Sequence, residues 1–272
     1  MNRRDLLAGV TAATATLMLG SGRAFSQEDP LNKLLGELSA DPLLVENSWL
    51  YREPSVSRGV GHGTPSKRKL AKPVTDMIIA FEVASPTVYE ARYRRPIWPK
   101  GESGVTIGVG YDLRFANKHY IDRDWPKLSQ AERNLLYPVA GLGGPKANKS
   151  LASVSSVEIH WDMAEEQFLN FLPYPTDETE KVFPNSSELS DLSFGALVSL
   201  VYNRGSAVSR NSKRRVEMYE IQQMMKNRKF DDIPDRIRSM KRLWQNDPNA
   251  RGLLIRRDAE AILFEKGRRS PG

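Results

Sequence analysis

The chain contains no cysteine. That excludes disulfides, thiolate metal sites and the cysteine of a lipobox, and it leaves the compartment open. Histidine is scarce as well, with three residues at 62, 119 and 160 and no metal-ligand spacing among them. No metal or other cofactor is therefore expected. No apolar run reaches the roughly 20 residues of a membrane span; the run over 6–20 covers about 15. The tract "GLGGPKANKS" lacks the GxxxxGK[ST] spacing of a phosphate loop, which argues against nucleotide binding. There are no internal repeats and no basic helix interleaved with aromatics, so no nucleic-acid partner is expected.

What is present is an ordinary globular mixture: 272 residues, 40% hydrophobic and 27% charged. That is enough for one sizeable domain with extensions. Net charge is +7, and the isoelectric point is near 9.5. A basic surface suits nucleic acid, anionic lipid or the acidic polymers of a cell wall. The first 26 residues pair Arg3 and Arg4 with a modest apolar run, and Ala24 and Ser26 sit at small-residue positions before Gln27. They read as a cleavable twin-arginine signal, with an uncleaved anchor as the alternative. The expected location is the periplasm or the exterior. Residues 27–70 read as a spacer holding at most one short helix, ended near Asp41 and Pro42, followed by a Pro-, Gly- and Ser-rich tract.

The chemistry concentrates in residues 82–112. Val74, Met77, Ile78 and Phe81 recur at helical spacing. Pro73 suits the first turn of that helix, and Pro86 ends it near Ala84. Glu82 then sits in the last turn at the edge of the apolar stripe. The negative end of the helix dipole and partial desolvation would both raise its pKa, as a general acid requires. The alternative is a solvated glutamate at a helix end.

In "GVTIGVGYD", Val105, Ile107, Val109 and Tyr111 alternate with Thr106, Gly108, Gly110 and Asp112. A straight strand would hold Thr106 and Asp112 roughly 20 Å apart. For both to serve one bond, the chain must turn back around Gly108 to Gly110 as a hairpin. The glycines would also clear one face for a ligand backbone or a sugar ring, the alternative being that they serve the turn geometry only.

Further on, a short helix from Ser129 is expected, then one over 161–172 stopped by Pro173 and Pro175. In "SDLSFGALVSLVYNRG", Ser190 or Ser193 serves as the N-cap and Gly205 as the C-cap. Helices over 216–226 and 234–244 follow, the first with a methionine stripe read as core. The closing helix buries Leu254, Ala261, Ile262 and Phe264 and ends near Gly267.

A helix ending in "FE", about two dozen residues, and then "SGVTIGVGYD" together resemble the phage-type lysozymes of glycoside hydrolase family 24. In that resemblance Glu82 takes the place of the catalytic glutamate, and Thr106 that of the threonine in the "TIGxGH" hairpin. "ALVSLVYNRG" and "GLLIRRDAEAILF" resemble two later helices of the family, so the likeness spans roughly residues 73–267. Two positions depart from the pattern. The family's aspartate, six residues before the threonine, is replaced by Lys100, and its histidine by Tyr111. The bacteriocin pesticin, a relative, places its aspartate after the threonine, and Asp112 matches that arrangement. Asp112 is thus the expected second carboxylate, with Glu102 as the other candidate.

The resemblance implies an α+β fold, mainly helical with a small β-hairpin, over residues 71–268. It implies a monomer that hydrolyses peptidoglycan as a muramidase, with Glu82, Thr106 and Asp112 catalytic. Glu102, Gly108, Gly110, Tyr111, Asn203 and Arg204 would line the substrate, and Arg256 or Arg257 would pair with Glu82 or another carboxylate. It also implies inversion, which asks for carboxyl groups about 6.5–9.5 Å apart, against about 5–5.5 Å for retention. The competing expectation is a wall-binding protein that keeps such a fold without catalysis.

Overall fold

The computed structural model describes residues 29–53, 56 and 58–269. The expected signal at 1–26 lies outside the described residues. In chain order the helices are α1 (Pro30–Ala40), α2 (Leu43–Ser48), α3 (Lys72–Val83), α4 (Pro86–Arg92), α5 (Lys118–Asp124), α6 (Gln130–Leu136), α7 (Gly144–Ser150), α8 (Trp161–Phe171), α9 (Pro173–Val182), α10 (Asp191–Arg204), α11 (Val216–Lys226), α12 (Ile233–Ser239) and α13 (Arg251–Arg269). Between α4 and α5 lies a two-stranded antiparallel sheet, β1 (Thr106–Ile107) and β2 (Tyr111–Asp112). The class is α+β, mainly helical, as expected. Among the described residues no helix is long and apolar enough to cross a membrane.

The core forms where α3, α10 and α13 pack together, with α1 and α2 closing one side. Helix α3 starts with proline in its first turn and ends at Ala84, whose φ of 64° breaks the helical path. Its last residues, Ile78 through Val83, are buried on every side, so the expected stripe widens into a fully enclosed end. Close approach explains two glycines. A Cβ on Gly195 of α10 would lie 2.1 Å from Val74 of α3, and one on Gly267 of α13 would lie 2.3 Å from Ser193 Oγ. The last helix runs to Arg269, close to the end expected near Gly267.

Several local expectations meet their structural form. Ser190 caps α10 and Gly205 ends it at a φ of 75°. Ser129 and Glu132 form a reciprocal capping box on α6. Pro173 stops α8 but also opens α9 as a first-turn proline, so a helix stands where only a break was expected. In α13 the fully buried positions include Leu253, Ala261 and Phe264, while Leu254 and Ile262 are only partly covered.

The largest departure concerns residues 27–70. The described ones among them, 29–53, 56 and 58–70, are no spacer: α1 and α2 dock on α13, and Leu31, Leu38, Val45, Trp49 and Val60 join the core. Asp29 caps α1 and pairs with Lys266, and Arg251 reaches Glu37 at 2.8 Å. The glycines of the supposed linker are contact points. A Cβ on Gly59 would lie 2.5 Å from Tyr111 Cα, and one on Gly61 would lie 2.1 Å from the Tyr174 ring. Missing side chains, rather than flexibility, let this strap, described at residues 49–53, 56 and 58–61, pass close to the hairpin and to Tyr174 at Gly59 and Gly61.

Candidate active site

The hairpin brings the two polar strand positions face to face. Its register pairs Thr106 with Asp112 and Ile107 with Tyr111, and Ile97 bridges Thr106 on the other edge. Gly108 and Gly110 make the turn with φ of 55° and 77°. The turn rests on the end of α3: a Cβ on Gly110 would lie 3.2 Å from Glu82 Oε2. Glu82, Thr106, Gly108 and Gly110 thereby line one cavity of about 10 Å³, closed by Trp49, Arg52, Tyr93 and Ile97. That volume is on the order of a single water molecule.

Glu82 is 2% exposed, and both its oxygens are paired. Oε1 accepts from Arg256 Nη1 at 2.9 Å, and Oε2 accepts from Arg52 Nη2 at 2.9 Å. Burial alone would push this carboxyl up. The cations Arg52, Arg256 and Arg58 outweigh it and hold Glu82 below the usual carboxylate range. The sequence expectation of a raised pKa is therefore corrected. Helix dipole and desolvation are present, but guanidinium groups brought from distant segments dominate them.

Arg256 is itself fixed. It reaches Ser199 O at 3.3 Å and Glu260 Oε1 at 3.3 Å, and Arg257 joins Glu260 at 2.9 Å and Asn203 Oδ1 at 3.1 Å. Of the two arginines weighed for Glu82, Arg256 makes the pair and Arg257 braces it from behind.

Asp112 has a different setting. Its Oδ1 accepts from the backbone N–H groups of Gly104 at 3.0 Å and Arg114 at 2.9 Å, capping the 3₁₀ turn that follows β2. Burial raises its pKa in spite of those bonds and of Arg52 and Arg58 nearby. It lines a second cavity, about 180 Å³, together with Glu102, Lys100, Arg114 and Glu53. The two cavities share Trp49 and Arg52 as a common wall. Thr106 Oγ1 donates to Gly104 O at 3.3 Å, next to the amide that holds Asp112.

Three residues expected at the substrate surface are placed elsewhere. Tyr111 points into the hairpin's core, where its hydroxyl donates to Asp124 at 2.9 Å and its ring meets Trp125 edge-on. Gly110, its neighbour in the chain, is the position that lies against Glu82. Asn203 spends its side-chain oxygen on Arg257 and its carbonyl on Arg58, at 3.4 Å. Arg204 is buried against Trp244 and pairs with Glu53 at 3.3 Å, because α10 turns that edge toward the strap. Glu102 stays at the cavity rim, where its carbonyl accepts from Arg114.

Arg52 and Arg58 were not singled out from the sequence. They lie in a tract whose prolines, glycines and serines read as linker, and no spacing links them to residue 82. Among the described residues no cluster of three or more His, Asp or Glu side chains is placed to hold a metal ion. In comparisons with known proteins, no family model and no curated protein matches the chain.

Proposed function

We propose that this chain is a peptidoglycan hydrolase of the muramidase type, cleaving the β-1,4 bond between N-acetylmuramic acid and N-acetylglucosamine. The observation that carries the reading is the seating of the Glu82 carboxylate against Gly110, in one cavity with Thr106 and the glycine turn. In this scheme protonated Glu82 gives its proton to the glycosidic oxygen as the bond to the anomeric carbon breaks. Thr106 orients a water whose oxygen forms the new bond to that carbon. Asp112 receives the water's proton, a task suited to a carboxylate whose pKa is raised by burial. Arg3 and Arg4 direct export to the compartment where such a wall lies.

One observation favours a second reading. Glu82 is held as a carboxylate by Arg52 and Arg256, which suits a wall-binding protein without catalysis. Release of reducing ends from purified peptidoglycan separates the two. Glu82→Gln is expected to lower it by about 100-fold or more per folded molecule. Equal release by parent and variant would remove Glu82 from the acid role. Binding of wall without release by either protein would favour the second reading.

A further inference from the structure

A second cavity adjoins the one that holds Glu82. It measures about 280 Å³, and Trp49, Tyr93, Ile97 and Pro99 line both, so the two share a wall. Small-molecule pockets run from about 300 to 1,000 Å³, which puts this one at the size of a single sugar ring. Its aromatic surface is fixed in place. Trp98 donates its indole N–H to Ser103 O at 3.0 Å, and Trp49 meets Tyr93 edge-on with ring centroids 5.4 Å apart. Leu50, another lining residue, stays 50% exposed. Aromatic and aliphatic surface of this kind takes the C–H face of a pyranose.

The polar groups of the cavity do not balance. Arg92 pairs with Glu46 at 2.9 Å, and the Tyr93 hydroxyl donates to the same carboxylate at 2.8 Å. Trp49 is 9% exposed, and its indole N–H is buried without an acceptor among the described residues. Lys100 is the spare charge: among the described residues its ammonium has neither an ion pair nor a hydrogen bond. It lines the Asp112 cavity as well, yet it pairs with neither Asp112 nor Glu102. Its backbone φ is 75°, a conformation that glycine adopts freely and lysine does not. Gly101 follows with a φ of 58°, so the turn by itself does not ask for a lysine. What the cavity offers is a ring-sized apolar wall, one unanswered N–H donor and one unanswered cation.

We propose that Lys100 is a specificity-determining residue of a sugar subsite in this cavity, pairing with a carboxylate of the muramyl unit while Trp49 and Trp98 hold the ring. This rests on the muramidase reading and names what the site would select. Both sugars of the wall carry an acetamido group, whose carbonyl could answer the Trp49 N–H. Only the muramyl sugar carries a lactyl ether. Its carboxyl is either free or bonded as an amide to a stem peptide that brings carboxylates of its own. A glycan built of N-acetylglucosamine alone gives Lys100 no partner. Charge, rather than ring shape, would then separate wall glycan from a neutral chitin-like chain.

The test measures hydrolysis of purified peptidoglycan by the full chain and, by calorimetry, its binding of soluble wall disaccharides and of neutral chitin oligosaccharides. Lys100→Gln is expected to raise KM and Kd for wall glycan about tenfold at unchanged kcat, because the contact is equal in the ground and transition states. The preference for wall glycan over chitin oligosaccharide should fall by the same factor, and Lys100→Arg should restore it. Trp98→Ala should weaken the binding of both. Lys100→Gly separates charge from turn: it relieves the positive φ, so it should keep or raise Tm while losing affinity as the glutamine variant does. In intact wall the lactyl carboxyl is consumed in its amide bond, so a penalty there assigns the carboxylate to the stem peptide. A penalty confined to strands stripped of peptide assigns it to the lactyl group. Equal losses on wall glycan and chitin oligosaccharide, or no loss on any wall glycan, would overturn the proposal. Charge-dependent binding of wall disaccharides with no release of reducing ends by the parent would instead sink the muramidase reading and leave the subsite as one for binding.

Discussion

Glu82 is worth more to the fold than a helix-end glutamate usually is, because Arg52 and Arg256 are buried around it. Removing its charge leaves those guanidiniums uncompensated, so Glu82→Gln is expected to cost roughly 3 kcal/mol in chemical denaturation. Its folded pKa lies below the ordinary value of 4.5. Its contribution is therefore fully present above about pH 4.5 and is lost as pH falls through the folded pKa. Asp112 has the opposite sign. Its pKa is raised above 3.8, so stability is lost as pH rises from there through its folded value. Asparagine keeps the oxygen that accepts from Gly104 and Arg114 and removes the buried charge. Asp112→Asn is thus expected to match or exceed the parent's stability at neutral pH, with the difference vanishing below pH 3.8, while hydrolysis falls by about 100-fold or more. A variant that unfolds early and keeps its specific activity would reduce Asp112 to a brace for the hairpin.

At the scale of elements, glycines decide how closely the helices meet. Gly267 lies within α13, facing the capped start of α10, and an added Cβ would sit 2.4 Å from the Ser193 amide nitrogen. Backbone cannot swing aside as a side chain can, so Gly267→Ala is expected to lose about 1–3 kcal/mol, read as a lower Tm. Gly36 on α1, where an added Cβ meets nothing within 4 Å, is the control and should gain a little stability as alanine. Much at this scale was legible. The hairpin turn at Gly108 to Gly110, the caps at Ser190 and Gly205, and the bounds of α11 follow from local chemistry that tertiary contacts leave in place. Pro173 was misread, because a proline that ends one helix is also well suited to begin another.

For the whole molecule, the N-terminal segment is the part where sequence and structure differ most. Leu31, Leu34, Leu35 and Leu38 already carry a helical stripe, but α13, on which α1 docks, lies more than 200 residues away, as the Arg251–Glu37 pair at a separation of 214 residues illustrates. A chain beginning at residue 70 would expose the surfaces that Leu31, Leu38, Val45 and Trp49 cover. At about 1.5–3 kcal/mol for each large buried side chain, the loss approaches the roughly 5–15 kcal/mol that holds an ordinary domain. Such a truncation is expected to be insoluble or to lack a cooperative unfolding transition. A well-folded truncated protein would restore the spacer reading.

The sequence by itself determined the longer helices α3, α8, α10, α11 and α13, the hairpin turn and the local placement of Glu82, Thr106 and Asp112, because periodicity, capping and glycine turns act over a few residues. It could not determine the state of Glu82. That depends on charges from residues 30 positions earlier and 174 positions later, converging on a carboxylate that is 2% exposed. Coulomb energy depends on distance and dielectric, and both exist only once the chain has folded. The same holds for Tyr111, Asn203 and Arg204: their motif positions were visible, but which way each side chain faces was settled by the packing of the hairpin, α10 and the strap.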